Sequence, residues 1–118
     1  MWEVLTTDCF DEWFLKQSDE LRTAIYAAMG MLEEIGPQLE RPHVDTLNGS
    51  DFPNMKELRI QYAGNTIRAF FAFDLARHAI VLCAGDKTGV KEKRFYRDMI
   101  QLADTEYRKH LAKQESGK

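Results

Sequence analysis

Hydrophobic residues in the first third of the chain recur at helical spacing. Between residues 19 and 35 they follow one another at alternating intervals of four and three, at Leu21, Ile25, Ala28, Leu32 and Ile35. This spacing predicts an amphipathic helix with one apolar stripe, capped by Ser18 and ended by Gly36. A shorter helix that begins at Asp8 and a strand at residues 2–7 precede it. We expect the two helices to pack as a pair against the rest of the fold.

The middle of the chain alternates between apolar and polar residues, which is typical of half-buried strands. Residues 57–62 and 66–73 form two such arms, and the apolar run at 79–85 follows after a short connection. These three runs predict an antiparallel meander. An amphipathic stretch after Gly89 predicts a C-terminal helix with a frayed tail at about residues 112–118. The fold class is therefore α+β, in the order β-α-α-β-β-β-α, with one domain over residues 1–118.

Arg59 and Arg68 occupy matching places in the two arms of this predicted hairpin. A turn at Ala63–Gly64 pairs the two arginines directly, whereas a turn at Gly64–Asn65 pairs Arg68 with Gln61; both arginines share one face in either case. Like charges placed opposite each other destabilise a sheet by roughly 0.2–1 kcal/mol. Because the apolar face must meet the helices, we expect the arginine face to look outward. One interpretation is that Arg59, Arg68 and the Phe70 ring clamp a phosphate and a base on this face. The alternative is a solvated face on which Glu57 neutralises one guanidinium.

Charge is distributed unevenly along a chain whose net charge is −3. Residues 1–50 hold ten acidic and three basic side chains, a balance of −7, whereas residues 52–97 hold nine basic and four acidic ones, a balance of +5. Four cations stand close together in the loop and helix start after the third run, at Lys87, Lys91, Lys93 and Arg94. This distribution predicts either a basic site able to hold phosphates or a set of ordinary solvated helix faces.

Length and composition exclude several classes of protein. A chain of 118 residues suits a single domain. It contains no apolar run long enough to span a bilayer and begins without the pattern of a secretion signal, so we expect a cytoplasmic protein. Cys9 and Cys83 are far apart in sequence and are expected to be buried reduced thiols, and the histidines show no metal-ligand spacing. Nothing in the sequence predicts a metal or a cofactor.

Four short segments, in this order and spacing, resemble HigB-type toxins of the RelE/ParE superfamily. They are "ERPHVDTLNGS", "MKELRI", "GNTIRAFFAFD" and "GDKTGVKEKRFYRDM". The resemblance implies a RelE-like, microbial-RNase-like fold, with a small antiparallel sheet packed against an N-terminal helical pair and a C-terminal helix. It also implies a metal-free endoribonuclease that cleaves mRNA on the ribosome and inhibits translation. The implied partners are a helix-turn-helix antitoxin of the HigA type, the ribosome and mRNA, with operator DNA bound only through the antitoxin.

The resemblance also implies which residues act. Arg59, Arg68 and Lys87 match the family's basic catalytic positions, and the expected RNA contacts are Lys56, Glu57, Phe70, Lys91 and Lys93. The chain lacks the C-terminal catalytic histidine of some members, and Tyr96 is a substitute that helix packing explains equally well. Because one fold supports several activities, two alternatives stay open. They are a non-enzymatic inhibitor of DNA gyrase of the ParE kind, and a catalytically silent component of a repressor complex.

Overall fold

The computed structural model describes residues 1–116, which form a five-stranded sheet with helices on both faces. In chain order the elements are β1 (Glu3–Thr6), α1 (Asp8–Leu15), α2 (Asp19–Ile35), a 3-10 turn (Gly36–Gln38), β2 (Val44–Thr46), β3 (Met55–Tyr62), β4 (Asn65–Phe73), β5 (His78–Asp86) and α3 (Glu92–Ser116). The predicted α+β class and the helical segments at both ends are confirmed. The short strand β2 was not predicted.

The sheet has the strand order β1-β5-β4-β3-β2. The strands β3, β4 and β5 form the antiparallel meander that the sequence predicts. The first strand β1 lies parallel to β5 at one edge, and β2 lies antiparallel to β3 at the other edge. The sheet is therefore antiparallel in its centre and parallel at one edge.

Both faces of the sheet are covered, each by its own group of apolar side chains. One face packs against α1 and α2, and its core includes Phe10, Ile25, Leu32, Leu58, Ile67 and Phe71. The other face packs against α3, and its core includes Met55, Phe70, Leu82, Phe95, Ile100 and Tyr107. The expectation that the arginine face looks outward is therefore wrong for most of its area. The C-terminal helix covers that face and leaves only its turn end open.

The helix ends follow local chemistry. Thr7, rather than the expected Asp8, caps α1 by accepting a hydrogen bond from the Phe10 N–H, and Ser18 caps α2 as expected. Gly36 ends α2 with φ of 66°, and a Cβ at this position would overlap the Trp2 indole. Glycine is therefore required both by the backbone and by the close approach of the ring.

The helix α3 continues to Ser116, past the predicted start of a frayed tail near residue 112; residues 117 and 118 of that tail lie outside the described residues. No helix within residues 1–116 is both long and apolar enough to cross a membrane. The length of α3 matters for the site, because its first turns lie over the arginine end of the hairpin and its last turns lie over the opposite end.

Candidate functional site

The β3–β4 hairpin places Arg59 directly opposite Arg68. Its register comes from a two-residue turn at Ala63 and Gly64, both of which have positive φ, so Tyr62 pairs with Asn65. This is the first of the two registers that the sequence allows. Two guanidinium groups therefore stand side by side near the turn end of the sheet.

Glu57 explains how the fold tolerates this pairing of like charges. Its carboxylate lies 3.9 Å from Arg59 Nε and 4.0 Å from Arg68 Nε, and the residue is only 5% exposed. A negative charge within about 4 Å of each cation offsets their mutual repulsion. The anion that the sequence pattern calls for is thus supplied in part by the protein itself, and Glu57 serves to orient the arginines.

The two guanidinium groups nevertheless keep unused hydrogen-bond donors. The Arg68 side chain is 6% exposed, and its Nη1 donates to the Thr66 carbonyl at 3.0 Å. The Nε atoms of Arg59 and Arg68 are buried, and neither has a hydrogen-bond partner among residues 1–116. A buried, unpartnered cationic donor is costly unless an anion completes it. The pair is therefore a candidate anion site, although Arg68 is buried rather than outward-facing as expected.

Tyr96, from the first turns of α3, completes the cluster. Its hydroxyl donates to Glu57 Oε2 at 2.7 Å, and the Arg68 guanidinium lies 5.8 Å from the centre of its ring. Burial, together with the hydrogen bond to Glu57, raises the pKa of Tyr96 to about 12. The residue therefore stays protonated at neutral pH and acts as a donor. No spacing in the sequence distinguishes this role from helix packing, because the contact depends on how α3 docks.

Lys87 lies in the loop between β5 and α3, on the same side as the arginine pair. It lines a shallow cavity of about 350 Å³ together with Thr66 and Arg68. Its ammonium group contacts Glu92 Oε1 at 3.1 Å. This hydrogen bond lowers the pKa of Glu92, and the charges of Arg68 and Arg59 lower it further. The structure thus brings together the three residues proposed as catalytic.

Two of the five expected RNA contacts are placed elsewhere. Phe70 is fully buried beneath α3, against Phe95 and Tyr96, so the expectation that its ring is open to a base is wrong. Lys56 lies on the strand position that alternates with Glu57, and it lines a separate depression with Leu39 and other residues of the 37–46 segment. The structure does not bring Lys56 to the arginine pair.

The remaining expected contacts are polar residues in or near the cluster. Glu57 lies at its centre, as described above. Lys91 is exposed just before α3, and Lys93 is exposed in the first turn of that helix, where it lines a groove shared with Tyr96. The helix start thus carries cations where the dipole disfavours them, which is typical of a surface that meets an anionic partner.

The described residues offer no alternative site built on metal or thiol chemistry. Within residues 1–116, no group of three or more His, Cys, Asp or Glu side chains is arranged to hold a metal ion. Both cysteines are free thiols; Cys83 is buried and Cys9 is half-buried. Burial raises the pKa of each thiol, so neither is activated as a nucleophile.

Comparison with known proteins identifies relatives along most of the chain. Residues 12–108 match the family described as phage-derived protein Gp49-like. The candidate toxin HigB3 of Mycobacterium tuberculosis is 44% identical over 107 residues, which cover 91% of this chain and 91% of that protein.

Two solved structures share the fold at low sequence identity. A variant of the toxin RelE from E. coli in its free state aligns with a TM-score of 0.58 at 12% identity, over 74% of this chain and 84% of that one. The archaeal RelE–RelB complex from Pyrococcus horikoshii contains a chain that aligns with a TM-score of 0.56 at 11% identity, over 75% of this chain and 98% of that one. At these identities the likeness shows the fold alone.

Proposed function

Because the chain belongs to the Gp49-like family of HigB-type toxins, we propose that it is a ribosome-dependent endoribonuclease that cleaves mRNA and thereby stops translation. The observation that carries this proposal is the arginine pair. Arg59 and Arg68 stand opposite each other with buried Nε donors that no group in the described chain satisfies. A planar guanidinium can donate two parallel hydrogen bonds to two oxygens of one phosphate.

The chemistry requires no metal and no nucleophile from the protein. The 2′-hydroxyl of the RNA attacks the adjacent phosphorus, a new P–O2′ bond forms, and the P–O5′ bond breaks to give a 2′,3′-cyclic phosphate. A base accepts the proton from the 2′-hydroxyl and an acid donates one to the departing 5′ oxygen. Arg59 and Arg68 stabilise the negative charge that grows on the phosphate oxygens between these two events.

Lys87 and Tyr96 are the candidates for moving these protons. Lys87 lines the same shallow cavity as Arg68, and its amine can exchange a proton whereas a guanidinium cannot, so it is a candidate for proton transfer. Tyr96 is protonated at neutral pH and hydrogen-bonded to Glu57, so it is suited to donate, with Glu57 holding it in place. In this assignment Glu57 is a positioning residue and does not itself touch RNA.

The partner that restrains this activity is proposed to be an antitoxin of the helix-turn-helix HigA type. A structural neighbour was solved as a RelE–RelB complex, which supports an antitoxin as partner; the HigA type is proposed from the resemblance of the chain to HigB toxins. The acidic helices α1 and α2 expose Leu15, Tyr26 and Ile35 between their carboxylates and offer one docking surface. Hydrogen exchange of the complex separates the options: protection confined to residues 8–36 indicates steric exclusion from the ribosome, whereas protection at 56–72 and 85–93 indicates masking of the site. We place the protein in the cytoplasm, where ribosomes and mRNA are found.

The deciding experiment is to induce the chain alone in bacterial cells and map new 5′ ends on cellular mRNA. We expect new ends within translated regions and a rapid fall in protein synthesis, and we expect neither from an Arg68→Ala variant expressed at the same level. Arrest of replication with intact mRNA would instead favour inhibition of DNA gyrase. Normal growth with a well-expressed, folded chain would favour a role confined to the repressor complex.

A further inference from the structure

A groove of about 540 Å³ lies beside the arginine pair, between α3 and the loop that precedes β3. Asn48 and Gly49 of the loop form one wall, and Lys93, Arg97 and Gln101 of the helix form the other. A volume of this size falls within the range of small-ligand sites, roughly 300–1,000 Å³. The groove is separate from the shallow cavity that contains Lys87.

Tyr96 joins this groove to the arginine pair. Its ring lines the groove, and its hydroxyl donates to Glu57 between the two arginines. Tyr96 is therefore the residue that the groove and the arginine cluster share: its ring faces one and its hydroxyl the other.

The loop wall is held rigidly against the helix. Asp104 is 5% exposed and accepts hydrogen bonds from Ser50 Oγ at 2.5 Å and from the Asp51 N–H at 2.9 Å. Asp51 in turn forms an ion pair with Arg108. These contacts occupy both carboxylates of the groove. The cations at its rim are Lys93 and Arg97, of which Arg97 also donates to Asp98 at 3.2 Å. A fixed wall of this kind is what selective binding needs.

The polar groups of the groove suit a nucleobase. Asn48 and Gln101 are both exposed, one on each wall, and a side-chain amide carries both a donor and an acceptor. Proteins read unpaired RNA bases by hydrogen bonds of this type to the base edges, while cations hold the adjoining phosphates. An acidic peptide could pair with the cations Lys93 and Arg97, but its carboxylates would give the amides Asn48 and Gln101 no base edge to bind.

We propose that this groove binds the nucleotide next to the cleaved bond, and that Asn48 and Gln101 read its base. The inference rests on the proposed ribonuclease function and adds to it the element that sets sequence preference. Lys93 and Arg97 hold the flanking phosphate, and Tyr96 fixes the distance between the base and the bond that breaks.

The test compares cleavage of programmed ribosomes whose mRNAs differ only in the nucleotide that flanks the cut. We expect Gln101→Ala and Asn48→Ala to reduce the spread of single-turnover rates among the four nucleotides by about fivefold, the effect of one lost hydrogen bond. Gln38→Ala, an exposed amide on the 3-10 turn, is the matched control and should leave the spread unchanged. Equal loss of rate for all four nucleotides, or no change, would overturn the assignment of base reading.

A binding measurement separates failure of this inference from failure of the proposed function. Fluorescence anisotropy with a short single-stranded RNA should show weaker binding by Lys93→Ala, with the slope of log K against log salt reduced by about 0.7. Arg94→Ala, next to Lys93 but paired with Asp98, is the control. If the wild-type protein cleaves no RNA, the ribonuclease proposal is wrong. The binding assay then tests by itself whether RNA occupies the groove. Identical binding by the Lys93 and Arg94 variants would then overturn it.

Discussion

Two buried carboxylates, Glu57 on β3 and Asp74 directly after β4, differ in the number of hydrogen bonds that they accept. Asp74, at the open end of the hairpin, accepts hydrogen bonds from the Ala76 and His78 N–H groups, from His78 Nδ1 and from Gln114 Nε2, all at 2.8–2.9 Å. Glu57 accepts one short bond, from Tyr96, and holds two arginines at 3.9 and 4.0 Å. The Asp74 carboxylate accepts four hydrogen bonds, whereas the Glu57 carboxylate accepts one and the arginine Nε atoms beside it have no hydrogen-bond partner among residues 1–116.

We interpret the Asp74 cluster as serving the fold and the arginine cluster as the one that a ligand completes under the proposed function. The hydrogen bonds of Asp74 tie the β4–β5 turn to the last turns of α3, and only the distant His110 Nε2, 3.6 Å away, lacks a bond within the described residues. A saturated buried network rigidifies a structure. The arginine cluster keeps two cationic donors unsatisfied at the turn end, which costs stability and is retained where a ligand completes the site.

The largest effect is expected from Arg68→Ala. Removing a preorganised charge donor should lower single-turnover cleavage on a programmed ribosome by roughly 10²–10³-fold. It should also lower the free energy of unfolding by about 3 kcal/mol, because Glu57 loses a buried counter-charge. Urea denaturation measures the second effect. In the double variant Arg68→Ala/Glu57→Gln we expect stability to recover while cleavage stays lost; cleavage that returns with stability would mean that Arg68 serves only the fold.

The next effect concerns Lys87. If it transfers a proton, Lys87→Arg should keep RNA binding and lose cleavage by on the order of 10²-fold, because arginine retains its proton. If Lys87 only attracts phosphate, Lys87→Arg should be nearly silent and Lys87→Ala should weaken binding with a shallower salt dependence. Lys91→Ala is the comparison and should cost less than Lys87→Ala. A larger loss at Lys91 would place the proton-transfer role on that residue instead.

The hairpin could be predicted from sequence because its signals are local. The alternation on both arms, with a glycine in the turn, restricted Arg59 and Arg68 to one face in either register. The burial of Phe70 was missed because a single covered face was assumed. Residues 69–72, apolar at every position, indicate a strand that is covered on both sides.

The contact between Tyr96 and Glu57 could not be predicted, because it joins residues 39 positions apart through the docking of a helix. Nothing in the spacing of either segment sets the angle at which α3 crosses the sheet. The hydrogen bond from Gln114 to Asp74 has the same origin, since it depends on a helix that continues into the segment predicted to be frayed. The sequence therefore identifies the charged residues of the candidate site, but it does not predict which side chains they contact.

A smaller effect, confined to stability, is expected at Asp74. Burial opposes ionisation, but hydrogen bonds from the His78 backbone, the His78 side chain and Gln114 hold its pKa at about 2, below the ordinary 3.8. A depressed folded-state pKa contributes stability above pH 4 that is lost as the pH falls toward 2. Asp74→Asn should therefore cost about 2 kcal/mol at pH 7 and much less at pH 2. Cleavage by the folded variant should be unchanged, because Asp74 lies at the opposite end of the hairpin from the arginine pair. A loss of cleavage under conditions in which the variant is fully folded would instead join the two clusters into one site.

The smallest effect is a titration rather than a loss of function. Burial and the hydrogen bond to Glu57 raise the pKa of Tyr96 to about 12. In Glu57→Gln the negative charge is gone but an acceptor oxygen remains, so the pKa of Tyr96 should fall while the fold persists. The carbon resonance of the phenol, assigned by its absence in Tyr96→Phe, reports this pKa by NMR. A lower pKa of Tyr96 in this variant would show that the charge of Glu57 helps to keep Tyr96 protonated. An unchanged pKa would mean that burial alone sets it, and Glu57 would then be as structural as Asp74.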